Sequence, residues 1–264
     1  MPIQRMHQQR CYLVSALAAS ALIGVSGCSS GAKTTKSAEV ATQQGTHSDS
    51  AGGLVIAPRT PYVPGSHSGP AALVISLARD SVSPSRSLDG ACEVPAAKSE
   101  AVSDAVLWVD GIREGKPLPQ DRRYQLVSAG CALSPRIQAV VVGGAINVFN
   151  DDVVLHKLVF IRAGTTDTLQ TMPFTNGAEL VASDRLTRTP GIVEVRCVQH
   201  PQERAYIAVF DHPYFGVAAP GETVVLDSVP SGDYQVLTWR EGMSAPVAVP
   251  ARVGSSGQTQ VIVK

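Results

Sequence analysis

The sequence has no excess of charge. Its 22 basic and 22 acidic residues cancel, so nothing electrostatic draws the chain to nucleic acid or to an anionic membrane surface. It has no Gly-rich phosphate loop, no helical heptads and no internal repeat, which excludes nucleotide-cradle, coiled-coil and solenoid architectures. Ser, His and Asp all occur, but none stands in a nucleophile-elbow pattern. A hydrolase is therefore not expected, and an enzyme ranks behind the two non-enzymatic readings given below.

What is present begins with an export signal. Arg5 and Arg10 supply a positive segment, and Cys11 to Val25 form an apolar run shorter than the roughly 20 residues that span a bilayer. Val25-Ser26-Gly27 then places small residues directly before Cys28. This closely resembles a lipobox, in which the peptide before the cysteine is removed and its thiol is diacylated. The resemblance implies cleavage after residue 27 and membrane attachment through lipid on Cys28. Ser29 follows it, which by resemblance to Gram-negative lipoproteins points to the periplasmic face of the outer membrane.

Residues 28–68 are expected to be a flexible tether. Ser, Thr, Gly, Ala and Gln dominate there, and such a composition buries too little apolar surface to offset the entropy of ordering. His47 and His67, in or beside this stretch, are read as solvated. About 200 residues remain after it, which suits one all-β domain at 69–264.

Five cysteines need places. Cys11 leaves with the signal peptide and Cys28 carries lipid. Cys92 and Cys131 follow turn-prone Gly90-Ala91 and Ala129-Gly130, and an oxidising compartment makes a Cys92–Cys131 disulfide the expectation. Such a closure stabilises by about 4 kcal/mol if native strain is small. Cys197 is then left unpaired.

From residue 69 the pattern is short apolar runs with turn chemistry between them. The runs are Ala72–Leu77, Ala105–Val109, Tyr124–Val127, Ile137–Val142, Ala145–Phe149, Leu158–Ile161, Ile192–Val198, Tyr206–Phe210, Thr223–Leu226, Tyr234–Trp239 and Gln260–Val263. Gly143-Gly144, Asn150-Asp151, Pro220-Gly221 and Pro230-Ser231-Gly232-Asp233 separate some of them. Regularly spaced short strands argue for a β-sandwich or barrel. Only Gly177–Arg185 suggests a helical turn. Trp108 and Trp239 fall on strands and are expected in the core.

One constellation carries chemistry. In Val195-Arg196-Cys197-Val198-Gln199-His200-Pro201-Gln202-Glu203, Cys and His stand three apart at a strand end. Upstream, Asn150-Asp151-Asp152-Val153-Val154-Leu155-His156 leads into the next apolar run. One His from an earlier strand followed by Cys-x-x-His is the ligand order of cupredoxins. A thiolate and two imidazoles make a trigonal copper site, and strand ends hold such ligands rigidly through a redox change.

The stretch Val142–His156 resembles the first half of plastocyanin and amicyanin domains. Cys197-Val198-Gln199-His200-Pro201 is similar to the short amicyanin loop. Ala205–Phe215 and Val229–Trp239 resemble periplasmic cupredoxin-like proteins of the methylamine-utilisation type, in which the later segment reads as a further β-module. The resemblance covers roughly residues 70–264. It implies a Greek-key β-sandwich of cupredoxin type with additional β-module elements at the C-terminal end, and His156, Cys197 and His200 as equatorial copper ligands. It also implies electron transfer or copper handling, with a periplasmic redox protein as partner.

Two positions depart from the family pattern. Glu203 stands at the axial Met position, and Lys157 follows the first His where Asn is usual. A carboxylate is a hard, charged donor; on copper it favours Cu(II) and lowers the potential. Cys, two His and Glu also suit tetrahedral zinc. Alternatively, Glu203 faces solvent and pairs with Arg204. The competing reading is a metal-free envelope module that binds a protein or glycan. Asp151 and Asp152 are read as turn formers, and His212, in Asp-His-Pro-Tyr, as a surface or packing residue.

Overall fold

The computed structural model describes residue 54 and residues 60–65, 71–78 and 104–264. The signal segment, Cys28, most of the tether with His47 and His67, and Cys92 lie outside the described residues. The described residues belong to one compact unit.

The described strands, in chain order, begin with β1 (Val63–Pro64), β2 (Ala71–Leu77), β3 (Ala105–Asp110), β4 (Glu114–Gly115), β5 (Arg123–Ala129) and β6 (Ala132–Ser134). Next come β7 (Ile137–Val141), β8 (Ala145–Asn150), β9 (His156–Arg162), β10 (Thr168–Phe174), β11 (Glu179–Val181) and β12 (Gly191–Cys197). The last are β13 (Arg204–Phe210), β14 (Phe215–Ala218), β15 (Thr223–Val229), β16 (Gly232–Arg240), β17 (Val247–Val253) and β18 (Gln258–Val263). The one helical piece among the described residues is a 3-10 turn at Asp184–Leu186, capped by the Ser183 side chain. It falls at the end of the segment expected to hold a helical turn. The all-β expectation holds.

Four of the sheets stack as layers. The first contains β11-β8-β5-β6, the second β10-β9-β12-β13-β7, the third β14-β3-β16-β17 and the fourth β15-β2-β18. Leu126, Ile146 and Val148 of the first sheet meet Leu158, Phe160, Val195 and Ile207 of the second in one core. Tyr206, Ala208 and Phe210 of the second meet Val106, Trp108 and Trp239 of the third in another. Leu107, Val109 and Val236 of the third meet Leu73, Ile75 and Val261 of the fourth.

This arrangement explains why β3 and β13 read as unbroken apolar runs. Successive residues of a strand face opposite sides of its sheet, and both sides of these two strands are covered. Ala205, Ile207 and Val209 enter the first core while Tyr206, Ala208 and Phe210 enter the second. Strands buried on both faces need no polar alternation.

The additional β-module is not confined to the C-terminal end. β2 pairs with β15 and β18, and β3 pairs with β14 and β16. Segments from both ends of the chain thus build the third and fourth sheets, and the strands from β5 to β13 form the first and second. Apolar runs tell which segments are strands but not which strands pair, so this division was not visible in the sequence. The tether also has an ordered end: β1 pairs with β4, and the Tyr62 hydroxyl donates to the Lys116 carbonyl at 2.6 Å.

Candidate metal centre

Period-two geometry brings three of the four expected residues together. His156 starts β9 and shares a face with Leu158 and Phe160. Cys197 ends β12 directly opposite Leu158. Glu203 precedes β13 and is in phase with Ala205 and Ile207, which enter the same core. His200 comes from the intervening loop. That loop is closed by the Cys197 N–H donating to the Glu203 carbonyl at 3.0 Å and the Glu203 N–H donating to the His200 carbonyl at 2.9 Å.

The donor atoms of His156, Cys197, His200 and Glu203 all lie within 4.8 Å of one another. His156 Nδ1 is 3.2 Å from His200 Nδ1, and Cys197 Sγ is 3.6 Å from the first and 3.4 Å from the second. A point slightly out of the plane of these three atoms lies about 2.0 Å from both nitrogens and about 2.3 Å from the sulfur, the lengths of metal–imidazole and metal–thiolate bonds. The residues present therefore fit a first-row metal. His156 has no exposed surface, Cys197 is 3 % exposed, and His200 is the ligand nearest the surface.

Glu203 does not face solvent. Its side chain is fully buried, with Oε2 2.7 Å from His156 Nδ1 and 3.7 Å from His200 Nδ1. Arg204 pairs with Glu194 instead, at 4.0 Å, so the expected Glu203–Arg204 alternative is corrected. The face alternation that places Ala205 inward also places Glu203 inward. Lys157, one residue out of phase, is exposed.

Burial pushes the Cys197 thiol up, and the Glu203 charge adds to this, while amide groups of Lys157 and His200 act the other way. A metal must therefore displace the thiol proton as it binds.

Two residues beyond the expected set complete the surroundings. Ser128, fully buried, donates its hydroxyl to Glu203 Oε1 and lies 3.4 Å from His156 Nε2. Asp152 Oδ2 lies 3.2 Å from the same Nε2. A signal for Ser128 existed, since it stands two after Leu126 on β5 and a polar residue in phase with core positions calls for a buried partner. Asp152 is on a turn, as expected, but its contact with His156 had no sequence signal.

Elsewhere the expectations divide. Trp108 and Trp239 are core residues at 1 % and 2 % exposure. His212 is a packing residue: it is buried among Phe210, Tyr214 and Phe215, and its Nδ1 accepts the Tyr214 N–H at 3.1 Å. Cys197 is free and Cys131 is not.

No protein-family model matches the chain, and no curated protein matches it in sequence. Among solved structures it is similar to a purple cupredoxin from Nitrosopumilus maritimus, at 21 % identity over 33 % of this chain and 99 % of that one, with TM-score 0.29. A Cu-containing nitrite reductase from Thermus scotoductus aligns at 21 % identity over 39 % of this chain and 24 % of that one, with TM-score 0.30. Amicyanin from Paracoccus versutus aligns at 16 % identity over 35 % of this chain and 85 % of its own, also with TM-score 0.30. The chain thus spans about a quarter of the nitrite reductase.

Proposed function

We propose that this protein is a lipid-tethered, cupredoxin-like copper protein of the cell envelope, serving electron transfer or copper handling rather than catalysis. The observation that carries the reading is the triangle of Cys197 Sγ, His156 Nδ1 and His200 Nδ1, sized for one metal ion. Copper there supplies one-electron exchange between Cu(I) and Cu(II). The chain's own part is to hold His156 and Cys197 on the ends of paired strands and His200 on the short hydrogen-bonded loop between β12 and β13, so that they barely move between oxidation states. Glu203 supplies a buried negative charge beside them. His200, nearest the surface, is where an electron enters or leaves, with a periplasmic redox protein as partner.

Lipid on Cys28 anchors the chain, facing the periplasm from the outer membrane in a Gram-negative cell, and Cys131 pairs with Cys92.

A second reading has one contact in its favour. The 2.7 Å hydrogen bond between His156 and Glu203 satisfies both groups without any ion, as a metal-free envelope module requires. Titrating the full chain with Cu(II) separates the two. The copper reading expects an intense visible band at one equivalent, absent in Cys197→Ser. Zinc binding alone, or no metal uptake, overturns it.

A further inference from the structure

The metal-centre reading leaves one element of the site unexplained: the carboxylate on the far side of His156. An imidazole binds a metal through one nitrogen only if the other carries its proton. Nδ1 points at Cys197 and His200, so Nε2 must be the protonated nitrogen when a metal is bound. Nε2 faces Asp152 Oδ2 at 3.2 Å and Ser128 Oγ at 3.4 Å. Of these, only Asp152 brings a negative charge.

Asp152 is itself held in place from three sides. Its Oδ1 accepts the Gly130 N–H, and its Oδ2 accepts the Cys131 N–H at 3.0 Å. Its own N–H donates to Asn150 Oδ1 at 2.9 Å, and its carbonyl accepts from Asn176 Nδ2 at 2.8 Å. The two amides are available because Gly130 and Cys131 form a two-residue turn between paired Ala129 and Ala132, with φ of 58° and 57°. Both central residues of such a turn need positive φ. Cysteine at positive φ costs about 1–2 kcal/mol, and the bond from its N–H to a carboxylate offsets that cost.

We propose that Asp152 is the positioning residue of this centre, accepting a hydrogen bond from His156 Nε2–H and so presenting the Nδ1 lone pair to a metal. The inference rests on the metal-centre reading. Turn, carboxylate and ligand form one hydrogen-bonded relay, from the Gly130-Cys131 amides through Asp152 to His156. Outer-shell carboxylates of this kind orient a ligating imidazole and raise its basicity.

The test uses the full chain with Zn(II), which is diamagnetic, and with Cu(I). In the zinc-loaded wild type with 15N-labelled histidine, the expected result is a protected His156 Nε2 proton and no proton on Nδ1. Asp152→Ala should lose that protection and weaken zinc and Cu(I) binding by roughly 10–100-fold, while Asp151→Ala, an exposed neighbour, should leave both unchanged. The inference is overturned if the loaded wild type carries the proton on Nδ1, a result that needs no variant. It is equally overturned if Asp152→Ala folds and binds both metals as wild type does. A wild type that takes up neither metal overturns the metal-centre reading, and this inference with it.

Discussion

His156 Nδ1 and Glu203 Oε2 are 2.7 Å apart, and neither side chain has any exposed surface. That spacing is shorter than the distance between two donors on one metal ion, which is about 3.4 Å for bonds near 2.0 Å. A bound metal and this hydrogen bond therefore compete for the same nitrogen. Replacing the carboxylate with a thioether removes both the competition and the charge. Glu203→Met is expected to raise the copper reduction potential and shift the visible band toward that of a blue site. Redox titration with absorption spectra checks this, and an unchanged potential shows that Glu203 does not act on the metal.

His212 makes stability depend on pH. Burial lowers its pKa from 6.5 to about 4, so the folded protein holds it neutral while the unfolded chain protonates it. Between these values the unfolded state binds more protons, and stability falls as pH falls. The contribution is fully present above about pH 6.5 and lost as pH falls toward 4, amounting to about 3 kcal/mol at most for a shift of this size. Urea unfolding between pH 4 and 7 measures it. His212→Phe should flatten that part of the profile, and His212→Ala should leave the copper band nearly unchanged.

The stacked layers predict a cost for emptying the core between the second and third sheets. Trp108 is 1 % exposed and lies against Phe210 with ring centroids 5.6 Å apart. Trp108→Ala is expected to destabilise by about 3–5 kcal/mol. Ala208→Leu, at the same interface, overpacks it and should cost about 1–3 kcal/mol. Denaturant midpoints check both, and a loss below 1 kcal/mol for Trp108→Ala would mean the two layers do not share a core.

Thiol chemistry distinguishes the cysteines. Cys197 is free and buried, so alkylation of the denatured, unreduced mature chain should label Cys197 alone, leaving Cys92 and Cys131 joined. Finding Cys197 in a disulfide removes this assignment and the copper site together.

Lipidation is tested at Cys28. Cys28→Ser should abolish palmitate labelling and leave the protein unprocessed or released. Unchanged labelling in that variant removes the lipoprotein reading.

Much of the sandwich made by the first and second sheets was legible in the residues. Alternation in Ala145–Phe149 and apolar runs such as Tyr206–Phe210 marked strands where β8 and β13 lie. β1, β4, β6, β10, β11, β14 and β17 were missed, β11 lying within the segment expected to hold a helical turn. Thr168–Phe174 and Val247–Val253 carry exposed, polar or proline residues on one face, so their apolar signal is too sparse to stand above a loop. At the site, Cys-x-x-His at a strand end drew notice to Cys197 and His200, and the resemblance to the cupredoxin ligand order supplied His156 and Glu203.

What the sequence alone determined is which segments are strands and which side chains share a face, because the two-residue period is a local property of an extended chain. It also placed the four donors in order along the chain. Only the tertiary structure decided that Glu203 turns inward to His156, that Asp152 and Ser128 back the same imidazole, and that Ala71–Leu77 and Ala105–Asp110 join the C-terminal strands. Those outcomes depend on pairing and register between segments as far as 186 positions apart, as for Leu77 and Val263 in the paired strands β2 and β18. No local pattern encodes such a choice, because it is made by burying one sheet against another.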